Sequence, residues 1–355
     1  MNFDYNEEQQ LLADSVRRFL QKDYDFETRR KIVASKEGWS DKVWAQLAEM
    51  GLTGLPVSTD FGGFGGGAVD LMGVMEAFGD ALVVEPYLPT AMAARLIRKH
   101  DILSSVVEGK VRLAFAHAEA GARHRLGHVN ATAKKAGNAW AIDGEKKAVS
   151  GAPMADKLVV SAKDGGQIAL FLVDAGDVEM APFRALDETR SADVVLKGAK
   201  AERLEGGLAE IEEVVDYGTA LICAEAVGAM KFACDTTLEY LKTRKQFGVP
   251  IGTFQALQHR MVDMYVSYEQ AKSMACLACS KIDQSESAKD RARAVSAAKI
   301  KIADNARHVS QESVQLHGGM GMTEELKVSH TFRRLTVITE QFGGADHHLE
   351  RFASL

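Results

Sequence analysis

Apolar positions recur at helical spacing over the first hundred or so residues, alternate with a period of two between about 111 and 200, and return to helical spacing from about 207 onward. In "NEEQQLLADSVRRFLQKD", Leu11, Leu12, Val16, Phe19 and Leu20 share one stripe. Asn6 is placed to cap that helix, and Glu7 and Glu8 fall in its first turn, where the helix dipole favours acids. A second amphipathic segment carries Val43, Trp44, Leu47 and Met50 and stops at Gly51, a residue suited to the left-handed conformation that ends helices. The central runs "VRLAFAHAEA", "HVNATAKKAG", "AWAIDGE", "KLVVSAKDGG", "IALFLVDA" and "ADVVLKG" read as strands parted by Gly, Asp-Gly and Asp-Gly-Gly turn signals. Three long amphipathic segments then imply a helical bundle. The pattern predicts an α+β protein with a helical domain over 1–108, a β domain over 109–206 and a helical bundle over 207–355.

Composition narrows the classes. A chain of 355 residues buries enough surface for two or three cores, so stability requires no disulfide or metal staple. With 46% hydrophobic residues, 26% charged residues and a formal net charge of −6, it lacks the basic excess that nucleic acid or an anionic membrane surface calls for. No apolar run approaches the roughly 20 residues that span a bilayer, so no membrane partner is expected. Cys223, Cys234, Cys276 and Cys279 lie in helical segments and no cationic, apolar leader opens the sequence, which makes a reducing cytoplasm the expected location. Cys276 and Cys279 form a CxxC without a second Cys/His pair and are expected in the core. His347 and His348 are adjacent but lack a third ligand at helical spacing, so no metal site is expected. The glycine-rich run Phe61–Gly67 matches no phosphate-binding fingerprint and reads as a loop entering the next helix.

Two stretches carry candidate chemistry: "TRKQFGVPIGTFQALQHRMVDM" (243–264) and "QESVQLHGGMGMTEE" (311–325). Taken alone, Arg244, Lys245 and Gln246 beside Phe247-Gly248 read as capping charges and a turn, and Gly318, Gly319 and Gly321 as a helix-ending turn. Together, in a C-terminal bundle behind a β domain, they resemble the acyl-CoA dehydrogenase family. The resemblance extends through "GLTGLPVSTDFGG", "AHAEAGA" and "AIDGEKKAVSGAPMADKLVVSA" to essentially the whole chain.

That resemblance implies an N-terminal helical domain, a middle β-barrel and a C-terminal four-helix bundle. It also implies an FAD enzyme that oxidises an acyl-CoA thioester to the trans-2-enoyl-CoA. A carboxylate takes the α proton, the β hydrogen leaves as hydride to the flavin, and electrons pass to an electron-transferring flavoprotein. By the same resemblance Arg244 pairs with the flavin pyrophosphate and Phe247 packs on the cofactor, while Gln315, Gly318 and Gly319 contact its ADP part across a subunit interface. Glu119 and Gly121 occupy the turn along the flavin, and Ser150 approaches its N5. Three residues depart from the family pattern: Ala118 replaces a Thr, Ala120 a Pro, and Ala148 a large aromatic. A lost hydroxyl and a lost aromatic wall weaken the flavin-ring side, whereas the ADP side is intact.

The family's catalytic glutamate stands at one of two positions, and this sequence has glycine at both, Gly343 in "QFGGADHH" and Gly218 in "VVDYGTALICAEAVGAM". Among neighbouring acids, Glu225 lies two helical turns past Gly218, Asp216 projects from another side, and Glu340 and Asp346 flank the loop. Displacement by a helical turn of about 5 Å removes a base from the substrate Cα, and Asp346 is left as the weak candidate. The sequence therefore resembles the base-lacking subunit of the α2β2 acyl-CoA dehydrogenases of bacterial steroid side-chain and dicarboxylate degradation, in which a sister subunit supplies the glutamate. The competing readings are a catalytically silent structural partner and a homo-oligomeric acyl-CoA oxidase or related flavin monooxygenase.

Overall fold

The structure, a computed structural model, describes residues 5–137, 139–285 and 287–355. Helices α1 (Glu7–Asp23), α2 (Phe26–Ala34), α3 (Asp41–Glu49), α4 (Ala68–Ala81), α5 (Tyr87–Leu96) and α6 (Leu103–Val107) come first. Seven strands follow: β1 (Leu113–Ala116), β2 (Thr132–Ala136), β3 (Ala139–Ser150), β4 (Lys157–Asp164), β5 (Gln167–Asp174), β6 (Glu179–Arg184) and β7 (Arg190–Arg203). The long helix α7 (Leu208–Thr243) leads to a short hairpin, β8 (Lys245–Gln246) and β9 (Val249–Pro250). Helices α8 (Gln255–Gln284), α9 (Ala288–His317), α10 (Lys327–Glu340) and α11 (Ala345–Ser354) complete the chain. Two compact units result. One gathers the N-terminal stretch to Arg29, Ala68–Val83 and Thr219–Leu355; the other gathers Arg30–Gly67 and Val84–Gly218.

In the helical unit, Asn6 caps α1 as its sequence predicts. Its Oδ1 accepts from Gln9 N at 2.8 Å while Asn6 N donates to Gln9 Oε1 at 3.0 Å, satisfying two otherwise orphaned donors reciprocally. The buried line of α1 is Ala13, Val16 and Leu20, rotated from the expected stripe so that Leu11 remains 65% exposed. The Asp283 carboxylate, near the end of α8, accepts from Ala68 N at 2.8 Å and Val69 N at 2.9 Å and so caps α4 across the tertiary fold. Helices α4 and α7 touch backbone to backbone at two glycines. A methyl group at Gly79 would overlap the Glu225 carbonyl, and one at Gly228 would overlap the Glu76 carbonyl. Cys223, Cys234, Cys276 and Cys279 are free and buried, as expected for the CxxC pair.

In the β unit, β4, β2, β3, β7 and β5 close on one another into a ring, with β1 parallel to β4 and β6 added outside β7. The closure between β2 and β4 rests on the single pair Thr132–Lys163. Alternation directs Ile142, Leu158, Val160, Phe171, Val173, Val194 and Leu196 inward, and each side chain so buried contributes roughly 1.5–3 kcal/mol. Strand β6, "EMAPFR", lacks alternation and carries Pro182, which is tolerated because it pairs only with β7 at the sheet edge. The alternation pattern does not predict it.

Candidate functional site

The C-terminal unit holds an open cleft of about 580 Å³ whose lining includes Tyr240, Arg244, Gln246, Arg260, Gln315, His317, Gly318 and Gly319. It brings together two stretches that lie far apart in sequence. Helix α7 ends at Thr243, and the hairpin β8–β9 turns through Phe247 and Gly248, both at positive φ (55° and 83°). This is the two-residue hairpin geometry that matches strand twist, but only Gly248 adopts it without strain. The turn holds Phe247 91% exposed, away from any core. On the opposite wall, α9 stops where Gly318 takes φ 59°. A methyl group at Gly319 would meet no protein atom within 4 Å, so its glycine leaves ligand space open instead of serving packing. Arg260 is anchored by Glu312 at 2.6 Å, whereas Arg244 is exposed. A guanidinium facing open backbone suits a phosphate-bearing ligand.

In the β unit, the Glu119 side chain faces inward. It binds Lys146 Nζ at 2.7 Å and accepts from Asn130 N at 2.6 Å and Ala131 N at 3.1 Å. Lys146 is fully enclosed and also donates to Ser161 Oγ at 3.0 Å and the His117 carbonyl at 3.2 Å. Burial lowers the Lys146 pKa to about 8 against the pull of Glu119. Burial raises the Glu119 pKa, but Lys146 and the two backbone donors outweigh it and the net shift is downward. His117 bonds Ser161 at 2.8 Å, and burial, then the nearby Lys146, lower its pKa to about 4. Lys147 N donates to the Ala118 carbonyl at 2.7 Å, which ties the turn holding Glu119 to the bulge in β3. Ala148 stands in that bulge at φ 50°, and half-buried Ser150 pairs with Ser191 across β7. Lys146 is missed by motif reading although alternation along β3 points to it, since it shares a face with Ile142.

Gly218 and Gly343, the glycines expected from the sequence resemblance to stand where a base would, are both enclosed by neighbours. At Gly218 on α7, an added Cβ would lie 2.5 Å from Met92 Sδ. Gly343 has φ 110°, and a Cβ there would collide with the His347 ring. The loop around it is fastened by its carbonyls. Fully buried Lys299 donates to the carbonyls of Ile338 and, at 2.8 Å, Gln341; His348 Nε2 bonds the Phe342 carbonyl at 3.1 Å. Phe342 itself has φ 61°. Among the acids weighed from sequence, Glu225 is buried in a bidentate pair with Arg334, Asp216 is fully buried, and Glu340 is exposed. Asp346 is exposed in the first turn of α11, where the helix dipole accounts for it. Among the described residues no group of three or more His, Cys, Asp or Glu is arranged to hold a metal, and no helix is long and apolar enough to cross a membrane.

The acyl-CoA dehydrogenase N-terminal, middle and C-terminal domain models match residues 6–100, 114–205 and 205–353. The chain belongs to the acyl-CoA dehydrogenase family, flavin oxidoreductases that act on CH–CH bonds with FAD as cofactor. It is similar to acyl-CoA dehydrogenase IpdE2 of Mycobacterium tuberculosis strain H37Rv, with 30% identity over 329 residues, 92% of this chain and 91% of that protein. Among solved structures it is similar to the ChsE4-ChsE5 complex from Mycobacterium tuberculosis, with TM-score 0.91, 25% identity, and coverage of 100% of this chain and 98% of that one. A variant of the Tcur3481-Tcur3483 steroid ACAD has TM-score 0.90 and 28% identity, covering 98% of this chain and 97% of that one.

Proposed function

We propose that this chain is the base-lacking half of a heteromeric acyl-CoA dehydrogenase. A sister subunit supplies the carboxylate that takes the α proton, and this chain completes the cofactor site. The observation that carries the reading is the contrast between two glycines packed over at the base positions, by Met92 and His347, and an open, donor-lined cleft at Arg244, Gln315, Gly318 and Gly319.

FAD fits that cleft in its chemistry. Arg244 offers a guanidinium to the pyrophosphate, and Gly318 and Gly319 carry no side chain to fill the space beside it. Phe247, held outward by its hairpin, gives the cofactor an apolar face, and Gln315 adds an exposed amide. In the β unit, Glu119 holds the turn that the family sets along the flavin, and Ser150 offers a hydroxyl from β3. When bound, the flavin supplies the acceptor for the β hydrogen as hydride. Neither Gly343 nor Gly218 holds a proton, and Asp346 belongs to its own helix terminus.

The acyl group on this reading is bulky, a steroid side-chain thioester or a dicarboxylyl thioester. The likeness to a steroid ACAD and to a two-component complex supports it. Electrons leave to an electron-transferring flavoprotein in the cytoplasm. Co-expression with candidate sister chains, followed by flavin stoichiometry and acyl-CoA oxidation, tests the reading. The expected result is activity and full flavin only in the mixed assembly; an active, fully flavinated homo-oligomer of this chain alone refutes it.

A further inference from the structure

His317 closes α9 and lines the cleft beside Gly318. It is only 3% exposed and stacks on Tyr240, with ring centroids 4.5 Å and planes 28° apart. Its Nδ1 lies 2.8 Å from the Ser313 carbonyl oxygen. A carbonyl can only accept, so this contact assigns the proton to Nδ1. Burial lowers the pKa of the ring, the Ser313 carbonyl opposing only in part, which favours the neutral imidazole. A neutral imidazole with its proton on Nδ1 carries a lone pair on Nε2. Nε2 makes no hydrogen bond within the described chain and is not among the fully enclosed polar atoms that lack a partner, so its lone pair opens on the cleft.

The charged donor lining this cleft is the Arg244 guanidinium, while the Gly318 N–H is already given to the Gln315 carbonyl. A guanidinium alone would hold any polyphosphate. A phosphate has only acceptors to offer and is repelled by a lone pair, whereas an adenosine brings an exocyclic amine and ribose hydroxyls. An acceptor in the same cleft as a guanidinium therefore favours the nucleoside end of a dinucleotide over a bare phosphate chain.

We propose that His317 is a specificity-determining residue of this cleft, its Nε2 accepting a hydrogen bond from an N–H or O–H donor on the adenosine end of FAD. The proposal rests on the assignment of the cleft to the ADP part of the cofactor made above.

The test is the FAD affinity of the deflavinated assembly of this chain with its sister, read by quenching of flavin fluorescence. His317→Phe keeps a ring for Tyr240 and removes both nitrogens, while His317→Gln restores an acceptor at the reach of Nε2. The expected result is a Kd raised about tenfold in the Phe variant and largely recovered in the Gln variant, in line with one lost hydrogen bond. If His317→Phe does not fold, His317→Asn replaces it, since its amide can still donate to Ser313 while the distal acceptor is gone. A second arm uses the FAD analogue with hypoxanthine in place of adenine. Weaker binding of the analogue by the wild type, with no discrimination by the variant, identifies the adenine amine as the donor. Equal binding of both by the wild type, with the variant weak for both, identifies the ribose. A variant that is folded and binds FAD as tightly as the wild type overturns the proposal. An affinity that rises on acidification through His317 also overturns it, because it would place a phosphate against a protonated ring. A wild-type assembly that binds no FAD refutes the cofactor assignment itself, so the two failures are distinguishable.

Discussion

Arg334 on α10 and Glu225 on α7 form a buried bidentate ion pair, Nε to Oε1 at 2.6 Å and Nη2 to Oε2 at 2.8 Å. Both oxygens of the carboxylate are engaged by one planar guanidinium, the arrangement in which charge-assisted hydrogen bonds are strongest. Glu225 is the acid nearest in helical phase to Gly218, and the pair commits it to holding two helices together instead of accepting a substrate proton.

Removing one partner strands the other charge in the interior. Arg334→Met is expected to cost about 3–5 kcal/mol, while Arg334→Met combined with Glu225→Leu recovers most of that loss, because the desolvation cost of both charges disappears together. Thermal or urea unfolding of the two variants checks this. An Arg334→Met protein as stable as the wild type would show that the pair is not desolvated.

Arg244 and Phe247 are exposed, so their roles separate from stability. Arg244→Ala and Phe247→Ala are each expected to leave the unfolding free energy of the chain within the ordinary scatter of surface substitutions, about ±0.5 kcal/mol. Each is expected to weaken flavin retention at least about tenfold, the cost of a charge-assisted hydrogen bond or of an aromatic contact. Flavin absorbance after gel filtration of the mixed assembly measures both. Alanine disfavours φ 55° as phenylalanine does, so Phe247→Ala relieves no strain there; Phe247→Gly is the variant that stabilises the hairpin.

The two ends of this picture were legible in the sequence to different degrees. Periodicity marked the three long helices, and the order α, β, α follows from it. It missed β6, because an edge strand with Pro182 has no inner face to alternate against. The cleft was legible through Arg244 at one helix end and Gln315 and Gly318 at another, since each helix end keeps its own residues in a short motif. What fills the space left by Gly218 and Gly343 was not, because Met92 lies on α5, far from Gly218 in sequence, and the His347 ring meets Gly343 only because the loop turns through two positive φ angles. Glycine in a sequence reads equally as room or as contact.

Acid acts on His348 and His117 in the same direction. Burial, then the neighbouring His347 and Lys299, lower the His348 pKa to about 3, and His117 titrates at about 4. Both values lie below the unfolded value near 6.5, so the unfolded chain binds more protons between these limits and stability falls as pH drops through that window. His348 Nε2 donates to the Phe342 carbonyl and Nδ1 accepts from Ser296, which is the neutral tautomer the low pKa preserves. Unfolding free energy measured between pH 7 and pH 4 is expected to decline, and His348→Gln is expected to flatten part of that slope. An unchanged slope would remove His348 from the acid response.

Lys299 gives an alkaline counterpart. Burial lowers its pKa to about 8, with Cys223 and Glu340 opposing, against an ordinary value of 10.5. Between these values the unfolded chain again holds more protons, so the stability contribution from this group rises with pH from about 8 toward 10.5. Lys146 has the same sign, because its pKa also stands at about 8. Lys299→Met is expected to remove its share of that rise. At pH 7 it is also expected to destabilise the chain by roughly 1–3 kcal/mol through the carbonyls of Ile338 and Gln341 left without a donor. Urea titrations at pH 7 and pH 9 separate the two effects.

Placing a glutamate at Gly218 or at Gly343 meets a different obstacle at each. Gly218→Glu must displace Met92, whose thioether is the flexible end of its side chain, so overpacking of about 1–3 kcal/mol is expected. Combining it with Met92→Ala is expected to relieve that overlap, leaving the cost of a carboxylate placed among buried residues. Gly343→Glu faces the His347 ring and a backbone φ of 110° together, and no neighbour substitution relieves the second. Both double variants also place a carboxylate among buried residues, so both should lose stability, and Gly343→Glu with His347→Ala should fall about 1–3 kcal/mol further through its backbone. Denaturant unfolding of the two double variants checks the order, and a reversal would mean that the strain lies in the packing at Met92 and not in the Gly343 backbone.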